Sequence, residues 1–75
     1  MKKYTIAIPA EHCVARKFIA RPVEDWSADD LAEAKADDEL TVWEELTLDE
    51  IKNFASVSSN KHLKAAVAHL EMYED

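Results

Sequence analysis

The chain has 75 residues, no glycine, one cysteine and a formal net charge of −7 at pH 7, with 48% hydrophobic and 33% charged residues, which indicates one small folded domain with a thin core. The lack of glycine excludes glycine-rich phosphate-binding loops and the EF-hand calcium loop, because their backbone conformations depend on a residue without Cβ. The single cysteine excludes an internal disulfide and favours a reducing, cytoplasmic setting, and no apolar run approaches the roughly 20 residues that span a bilayer.

The first predicted element is a strand over residues 3–9, KYTIAIP, in which large apolar residues alternate with small ones and Pro9 ends the run. The large residues of this alternation are Tyr4, Ile6 and Ile8. Residues 13–20, CVARKFIA, fit either a second strand or a helix that starts at Pro9. We favour the strand, because valine, phenylalanine and isoleucine are β-formers and a first strand needs a partner.

A helix is predicted to follow, starting after Ser27 and ending near Ala36. Ser27 is an N-cap candidate, and Asp30 three positions later makes the pattern close to a capping box. Leu31 is the one large apolar residue on the inner side of this helix, so we expect it to be lightly anchored. Asp37 and Asp38 are expected to form the turn after it.

Residues 39–46, ELTVWEEL, alternate again and predict a third strand. The alternation groups Leu40, Val42 and Leu46 on one face against Thr41, Trp43 and Glu45 on the other. Because the chain lacks glycine, any position that needs a positive φ angle must use asparagine or aspartate, and the candidates are Asn60 and Asp38.

Two helices complete the prediction. TLDE at 47–50 is a capping box, and residues 56–60 interrupt the helical pattern, with Ser58 or Ser59 as the cap of a last helix over residues 61–73. The apolar stripe of the first of these helices comprises Leu48, Ile51, Phe54 and Ala55. That of the last helix comprises Leu63, Ala66, Val67, Leu70 and Tyr73.

The order β-β-α-β-α-α predicts a single α+β domain over residues 1–75. We expect a three-stranded, mainly antiparallel sheet with the helices on one face. The sequence contains no internal repeat and no linker.

Metal and catalytic chemistry find little support in the sequence. The soft or borderline ligands are His12, Cys13, His62 and His69, but the last two are seven residues apart on one helix, about 10 Å along its axis, too far for one zinc ion. Ser58 and His62 have the spacing of a nucleophile and a base if both are helical, but no third group or oxyanion donor accompanies them. We therefore predict no metal, no cofactor and no enzymatic activity.

Residues 47–70, TLDEIKNFASVSSNKHLKAAVAHL, resemble a helix-turn-helix, with a capped helix, an ASVS turn and an amphipathic second helix. The resemblance implies a transcription-associated DNA-binding module. An αα-hairpin that completes the core fits the same residues. We favour the hairpin, because a net charge of −7 opposes the phosphate attraction on which DNA binding depends.

Charge is unevenly distributed along the chain. Residues 1–23 carry five Lys or Arg and one acid, a net +4, whereas residues 24–50 carry twelve acids and one lysine, a net −11. Like charges recur one helical turn apart at Asp29 and Glu33, which costs a few tenths of a kcal/mol per pair. A basic partner would relieve that repulsion. The cations of the first segment are also available to pair with the acids: Lys2, Lys3, Arg16, Lys17 and Arg21.

We therefore hypothesise that the acidic block docks on a basic protein surface, such as the groove of a nucleic-acid-binding protein, without binding nucleic acid or membrane itself. In size and charge the chain resembles phage and mobile-element inhibitors, including anti-CRISPR and anti-restriction proteins that mimic DNA. The expected partner-binding residues are Glu24, Asp25, Trp26, Asp29, Asp30, Glu33, Asp37, Asp38, Trp43, Glu44 and Glu45. A further alternative is a small structural protein that forms a homodimer through its last helix, with His62, Lys64 and Tyr73 at the rim.

Overall fold

A computed structural model describes residues 2–72, and it contains a three-stranded antiparallel sheet with three α-helices. The strands are β1 (Tyr4–Pro9), β2 (Ile19–Pro22) and β3 (Leu40–Leu46), in the spatial order β2-β1-β3. The α+β prediction is confirmed. All six residues of β1 are buried, because this central strand is covered on both faces.

The α-helices are α1 (Ala28–Ala36), α2 (Leu48–Val57) and α3 (Lys61–Glu71), and a one-turn 3₁₀ helix at Val23–Asp25 joins β2 to α1. The predicted order of elements is confirmed. Residue 73, where α3 was predicted to end, lies outside the described residues. Among the helices of residues 2–72, none combines the length and the apolar composition needed to cross a membrane.

The predicted caps of α1 and α2 are both confirmed. The Ser27 Oγ accepts a hydrogen bond from the Asp30 backbone N–H at 3.0 Å. At α2 the capping box is complete: the Thr47 Oγ1 accepts from the Glu50 N–H, and the Glu50 carboxylate accepts from the Thr47 N–H at 3.0 Å. These bonds satisfy backbone donors that lack a partner in the first turn of a helix.

The predicted serine cap of α3 is wrong. Asn60 is the N-cap, and its Oδ1 accepts from the His62 N–H at 2.9 Å. Ser58 ends α2 and its Oγ accepts from the Asn60 N–H at 3.1 Å. The ASV of the supposed turn still belongs to α2, so the connection is only residues 58–60.

The strand predicted over residues 13–20 is also largely wrong, since β2 comprises only Ile19–Pro22 and residues 10–18 form an irregular loop. Backbone bonds turn this loop locally, from the Cys13 N–H to the Ala10 C=O at 2.9 Å and from the Arg16 N–H to the Cys13 C=O at 3.2 Å. These local hydrogen bonds take the place of the inter-strand hydrogen bonds that a strand here would form with β1.

The main core lies between the sheet and the α2–α3 pair. Its strand residues are Tyr4, Ile6, Ile8 and Ala20, and its helix residues are Leu48, Ile51, Ala55, Leu63, Ala66 and Leu70. The described residues of the apolar stripes predicted for both helices therefore face this core, apart from Phe54, which is 43% exposed. Tyr73 of the predicted α3 stripe lies outside the described residues. The predicted packing of helices on one face holds for α2 and α3.

Helix α1 lies on the opposite face of the sheet. In the strand register Ala7 is paired with Ile19 and Val42, so these residues share the face that α1 covers. The helix contributes one buried residue, Ala34, to this layer. The thin apolar content of α1, predicted from its sequence, leaves this second layer with little hydrophobic area.

Strand β3 does not alternate as predicted, because it contains a bulge. Leu40 and Val42 face α1, whereas Trp43 and Leu46 face the main core. The register places two residues, Glu44 and Glu45, opposite the single Thr5 position. Because side chains alternate between the two faces of a strand, one extra residue moves every later side chain to the other face.

The bulge also overturns the prediction about positive φ angles. Among residues 2–72 the one positive φ is 56°, at Glu45. Asn60, a predicted candidate, has φ of −69° as the cap of α3, and Asp38 is not in this region either. A residue that has a β-carbon adopts this conformation at a steric cost of roughly 1–2 kcal/mol.

Candidate functional site

The predicted partner-binding residues divide between two places in the fold. Those on the 3₁₀ helix, α1 and the following turn form a group on the α1 face, which we call the α1 acidic surface: Glu24, Asp25, Trp26, Asp29, Asp30, Glu33, Asp37 and Asp38. The rest belong to the bulged strand β3: Trp43, Glu44 and Glu45.

Five carboxylates of the α1 acidic surface form no ion pair among the described residues. All five are exposed: Glu24, Asp25, Asp29, Glu33 and Asp38. Asp29 and Glu33 are one helical turn apart and share the outer side of α1, where their charges repel. The repulsion predicted from the sequence is therefore retained in the fold.

Other acids are neutralised within the molecule. Arg16 binds both Asp37 and Glu39, the second at 2.5 Å. Arg21 lies 3.4 Å from the Asp30 carboxylate. The early arginines thus pair with the acidic block, as the sequence allowed, and they remove Asp30 and Asp37 from the charge that a partner would meet.

The Arg16 guanidinium changes the acidity of its partners. Its hydrogen bond is the main reason why the pKa of Asp37 lies below its ordinary value, and the backbone N–H of Glu39, 2.9 Å from Asp37 Oδ1, lowers that pKa further. The same bond to Asp37 raises the pKa of Arg16. Both charges are therefore held over the whole neutral range.

Cys13 continues this network from the other side. Its Sγ donates to the Glu39 Oε2 at 3.2 Å, and this hydrogen bond, followed by burial, raises the pKa of the thiol. His62 Nε2 lies 3.1 Å from the Cys13 carbonyl oxygen, and the Asn60 amide donates to the Pro9 carbonyl at 3.0 Å. The loop of residues 10–18 therefore ties the α1–β3 turn to the start of α3.

Trp26 is half-buried and fixed by its indole. The Nε1–H donates to the Thr5 carbonyl at 2.9 Å, and the Arg21 guanidinium lies 5.5 Å from the ring centroid. The ring forms one wall of a groove of about 230 Å³ between α1 and β2. This groove contains both signs of charge, since Arg21 and Glu33 also line it.

Trp43 has a different environment from Trp26. It stacks on Phe54 of α2, with ring centroids 6.0 Å apart and an interplanar angle of 22°, and packs against the main core. Glu44 points to the other layer, where its carboxylate lies 2.8 Å from Lys35 Nζ of α1. The fold therefore separates Trp43 from the α1 acidic surface, while Glu44 lies beside it.

The residues considered for metal and catalytic chemistry have other contacts. Within residues 2–72 no three His, Cys, Asp or Glu side chains are close enough together to hold a metal ion. The Ser58 Oγ accepts from the Asn60 backbone, and His62 contacts the Cys13 carbonyl. Each member of the supposed nucleophile–base pair is thus hydrogen-bonded elsewhere.

Sequence reasoning missed the role of Arg16, which joins the loop to the acidic turn. The available signal was the net +4 segment ahead of the net −11 segment. That signal predicts pairing but not which cation pairs with which acid, since the contacts join residues 21 and 23 positions apart.

Comparison with known proteins assigns no family to this chain. No protein-family model matches it, and neither a curated protein nor a solved structure matches it.

Proposed function

We propose that the protein is a non-enzymatic, cytoplasmic binding protein whose α1 acidic surface docks on the basic nucleic-acid-binding surface of another protein. Its action would be that of an inhibitor of the phage or mobile-element type, which occupies the place of DNA. The observation that carries the proposal is the set of five exposed carboxylates that form no ion pair among the described residues: Glu24, Asp25, Asp29, Glu33 and Asp38.

The charge density of this surface can be compared with that of DNA. Nine residues of α1 rise about 13 Å, and duplex DNA carries about eight charges over that length, at one per about 1.7 Å. Two unpaired acids, Asp29 and Glu33, lie on α1 itself, which is about a quarter of that number. Together with the neighbouring unpaired acids, this charge steers a Lys- or Arg-rich partner to encounter, and most of the affinity must come from other contacts.

Trp26 is the group best placed to supply such contacts. It adjoins the acids of the 3₁₀ helix and α1, and its half-buried ring is held by the bond to the Thr5 carbonyl. An aromatic ring fixed before binding loses little conformational freedom on association. Arg21 lies over the ring and contacts Asp30, so the charge beside the ring is partly neutralised and the exposed acids around it carry the net negative charge.

The proposal is tested by affinity capture from host lysate at several salt concentrations, with the wild type and a charge-reversed variant, Asp29→Lys/Glu33→Lys. We expect a specific partner that binds DNA by itself, is displaced by excess duplex DNA and is lost from the variant. The matched control, Asp49→Lys/Glu71→Lys, makes the same change of charge at exposed positions of α2 and α3 and should retain the partner. A partner that remains bound to the α1 variant would contradict the proposal.

The alternative of a helix-turn-helix module is favoured by one observation, the connection of only three residues between α2 and α3, which pack against each other. Its recognition surface would use the exposed Lys61 and Lys64 of α3. A gel shift with random duplex DNA separates the two functions. We expect no shift at physiological salt, and a shift abolished by Lys61→Glu/Lys64→Glu would favour the alternative.

The homodimer alternative meets a structural constraint. The apolar residues of α3 that it would use, Leu63, Ala66 and Leu70, are buried in the core of the single chain. Self-association would therefore have to use other faces of the helix, and sedimentation at increasing concentration would detect it.

A further inference from the structure

A second groove lies on the other side of β2 from the α1 acidic surface. It has a volume of about 530 Å³ and runs between α3 and the segment that leads into and along β2. We call it the basic groove; its lining residues are Arg16–Arg21, His62, Ala65 and His69.

The lining of the basic groove contains no acid, although the chain has 16 acids and a net charge of −7. Three of the nine lining residues are Lys or Arg and two are histidines. Lys17 is exposed and forms no ion pair among residues 2–72, and Arg21 has a long contact to Asp30 and a contact with the Trp26 ring. Arg16 is occupied by two carboxylates, so Lys17 and Arg21 are the cations available to a ligand.

The remaining lining is apolar and partly aromatic. Ile19, Ala20 and Ala65 contribute aliphatic surface. Phe18 and His69 meet edge to face, with ring centroids 5.8 Å apart and an interplanar angle of 65°. Such a wall offers both a ring face and a ring edge to a flat apolar group.

An added peptide strand is a poor occupant, although β2 is an edge strand. The bond from the Val23 N–H to the Lys3 carbonyl fixes which positions of β2 face β1. The alternation then directs the backbone groups of Ala20 and Pro22 away from β1, so these are the groups that an added strand would have to bind. Both residues are buried, however, and proline has no N–H to donate. The groove is open to solvent, and its volume of about 530 Å³ lies within the range of small-molecule sites.

We propose that the basic groove binds a small organic anion with a flat apolar body and a phosphate, sulfonate or carboxylate head group. The body lies against Phe18 and the aliphatic lining, and the head group meets Lys17 and Arg21. This site differs from the α1 acidic surface in the sign of its charge and in its place beside α3, although Arg16 and Arg21 of its lining also contact acids of that surface.

The test uses 8-anilinonaphthalene-1-sulfonate, a fluorescent aromatic anion, with the neutral N-phenyl-1-naphthylamine as its matched probe. We expect saturable binding of the sulfonate, at least fivefold weaker binding in Lys17→Glu, and a change of less than twofold in Lys64→Glu, which reverses an exposed charge of α3 outside the groove. The neutral probe should respond equally to all three proteins. Equal sulfonate affinity in the two variants would overturn the proposal.

Salt concentration and NMR provide a second readout. If the local cations govern binding, affinity falls as sodium chloride is raised from 50 to 500 mM; if the net charge of −7 governs it, affinity rises. Amide shift changes in a ¹H–¹⁵N spectrum should be confined to residues 16–21 and 62–69. A rise in affinity with salt, or shift changes spread over the whole chain, would overturn the proposal.

Competition then identifies the head group. A nucleoside monophosphate and 2-naphthoate are each titrated against the bound sulfonate, and displacement by either one supports the site and assigns its chemistry as phosphate or carboxylate. Displacement by neither at millimolar concentration would overturn the proposed ligand class. The variant Asp29→Lys/Glu33→Lys should keep this binding, so that failure at the groove and failure of partner docking are told apart.

Discussion

The two faces of the sheet are stabilised by different interactions. On the α2–α3 face, Ile51 and Leu70 are fully buried among large apolar strand residues. On the α1 face, the helix contributes only buried Ala34, together with the Trp26 hydrogen bond and the ion pairs of Arg21 and Lys35. Burial of one large aliphatic side chain contributes about 1.5–3 kcal/mol, whereas an exposed ion pair contributes about 0–1 kcal/mol.

This difference indicates where the molecule tolerates change. The α2–α3 face carries most of the stability, so its surface can vary only where it does not disturb the core. The α1 face carries little, and its outer residues, including Asp29 and Glu33, are free to be selected for charge. A docking surface on the less stabilising face is compatible with folding, because substitutions there cost little.

The largest expected effect compares the same substitution on both faces. Leu63→Ala on α3, where the side chain is 3% exposed, should lower the free energy of unfolding by about 2–5 kcal/mol. Leu31→Ala on α1, where the side chain is half-buried, should cost about 1 kcal/mol or less. Urea unfolding monitored by far-UV circular dichroism measures both, and equal losses would show that the two faces do not differ as argued.

The caps of α1 and α2 give a second comparison, in which the expected losses of stability are smaller. Thr47→Ala removes one half of the capping box of α2 and should cost about 1–2 kcal/mol of global stability. Ser27→Ala removes the single side-chain bond that caps α1. Because α1 adds little to the core, we expect Ser27→Ala to raise amide exchange in the first turn of α1 with little change in the urea midpoint. A midpoint that falls as far as in Thr47→Ala would refute this.

At the bulge of β3 we expect a substitution that stabilises the fold, whereas the preceding substitutions destabilise it. Glu45→Gly should raise the free energy of unfolding by up to about 1 kcal/mol, because glycine adopts a φ of 56° without steric cost. Glu45→Ala removes the same charge but keeps the β-carbon, so it should not stabilise the fold. Thermal unfolding of the two variants separates backbone strain from charge, and equal melting temperatures would assign the effect to charge alone.

The parts of the fold that the sequence predicted have local signals. The capping box at Thr47 and the apolar periodicity around Leu63 and Leu70 are determined within one or two helical turns, and both were predicted correctly. The strand at 13–20 was not, because Arg16 leaves the β-like pattern to bind acids more than twenty residues away.

The positive φ at Glu45 has no local signature either. In a chain without glycine the bulge is set by the register between β1 and β3, which a pattern of residue types does not specify. The candidate site shows the same limit. The sequence predicted that Asp29 and Asp30 lie on a helix. It did not predict that Asp30 is paired and Asp29 is not, because this depends on where β2 places Arg21.

The smallest effect at neutral pH is expected for Arg16→Gln, and its size depends on pH. Arg16 holds the pKa of Asp37 below its ordinary value, so the contribution of this pair to stability is present above the unfolded-state pKa, near 3.9, and is lost as the pH falls through the lower folded-state pKa. We therefore expect the difference in urea midpoint between wild type and Arg16→Gln to be constant from pH 7 to about 5 and to shrink toward zero below pH 4.

Lys17→Gln is the control for Arg16→Gln, because it removes the same charge from the neighbouring residue, which forms no ion pair among the described residues. Subtracting its effect leaves the part that depends on the Arg16–Asp37 contact. A difference that stayed the same from pH 7 to pH 3 would mean that Arg16 stabilises the loop of residues 10–18 by packing alone. The α1 face would then depend on charge less than its ion pairs indicate.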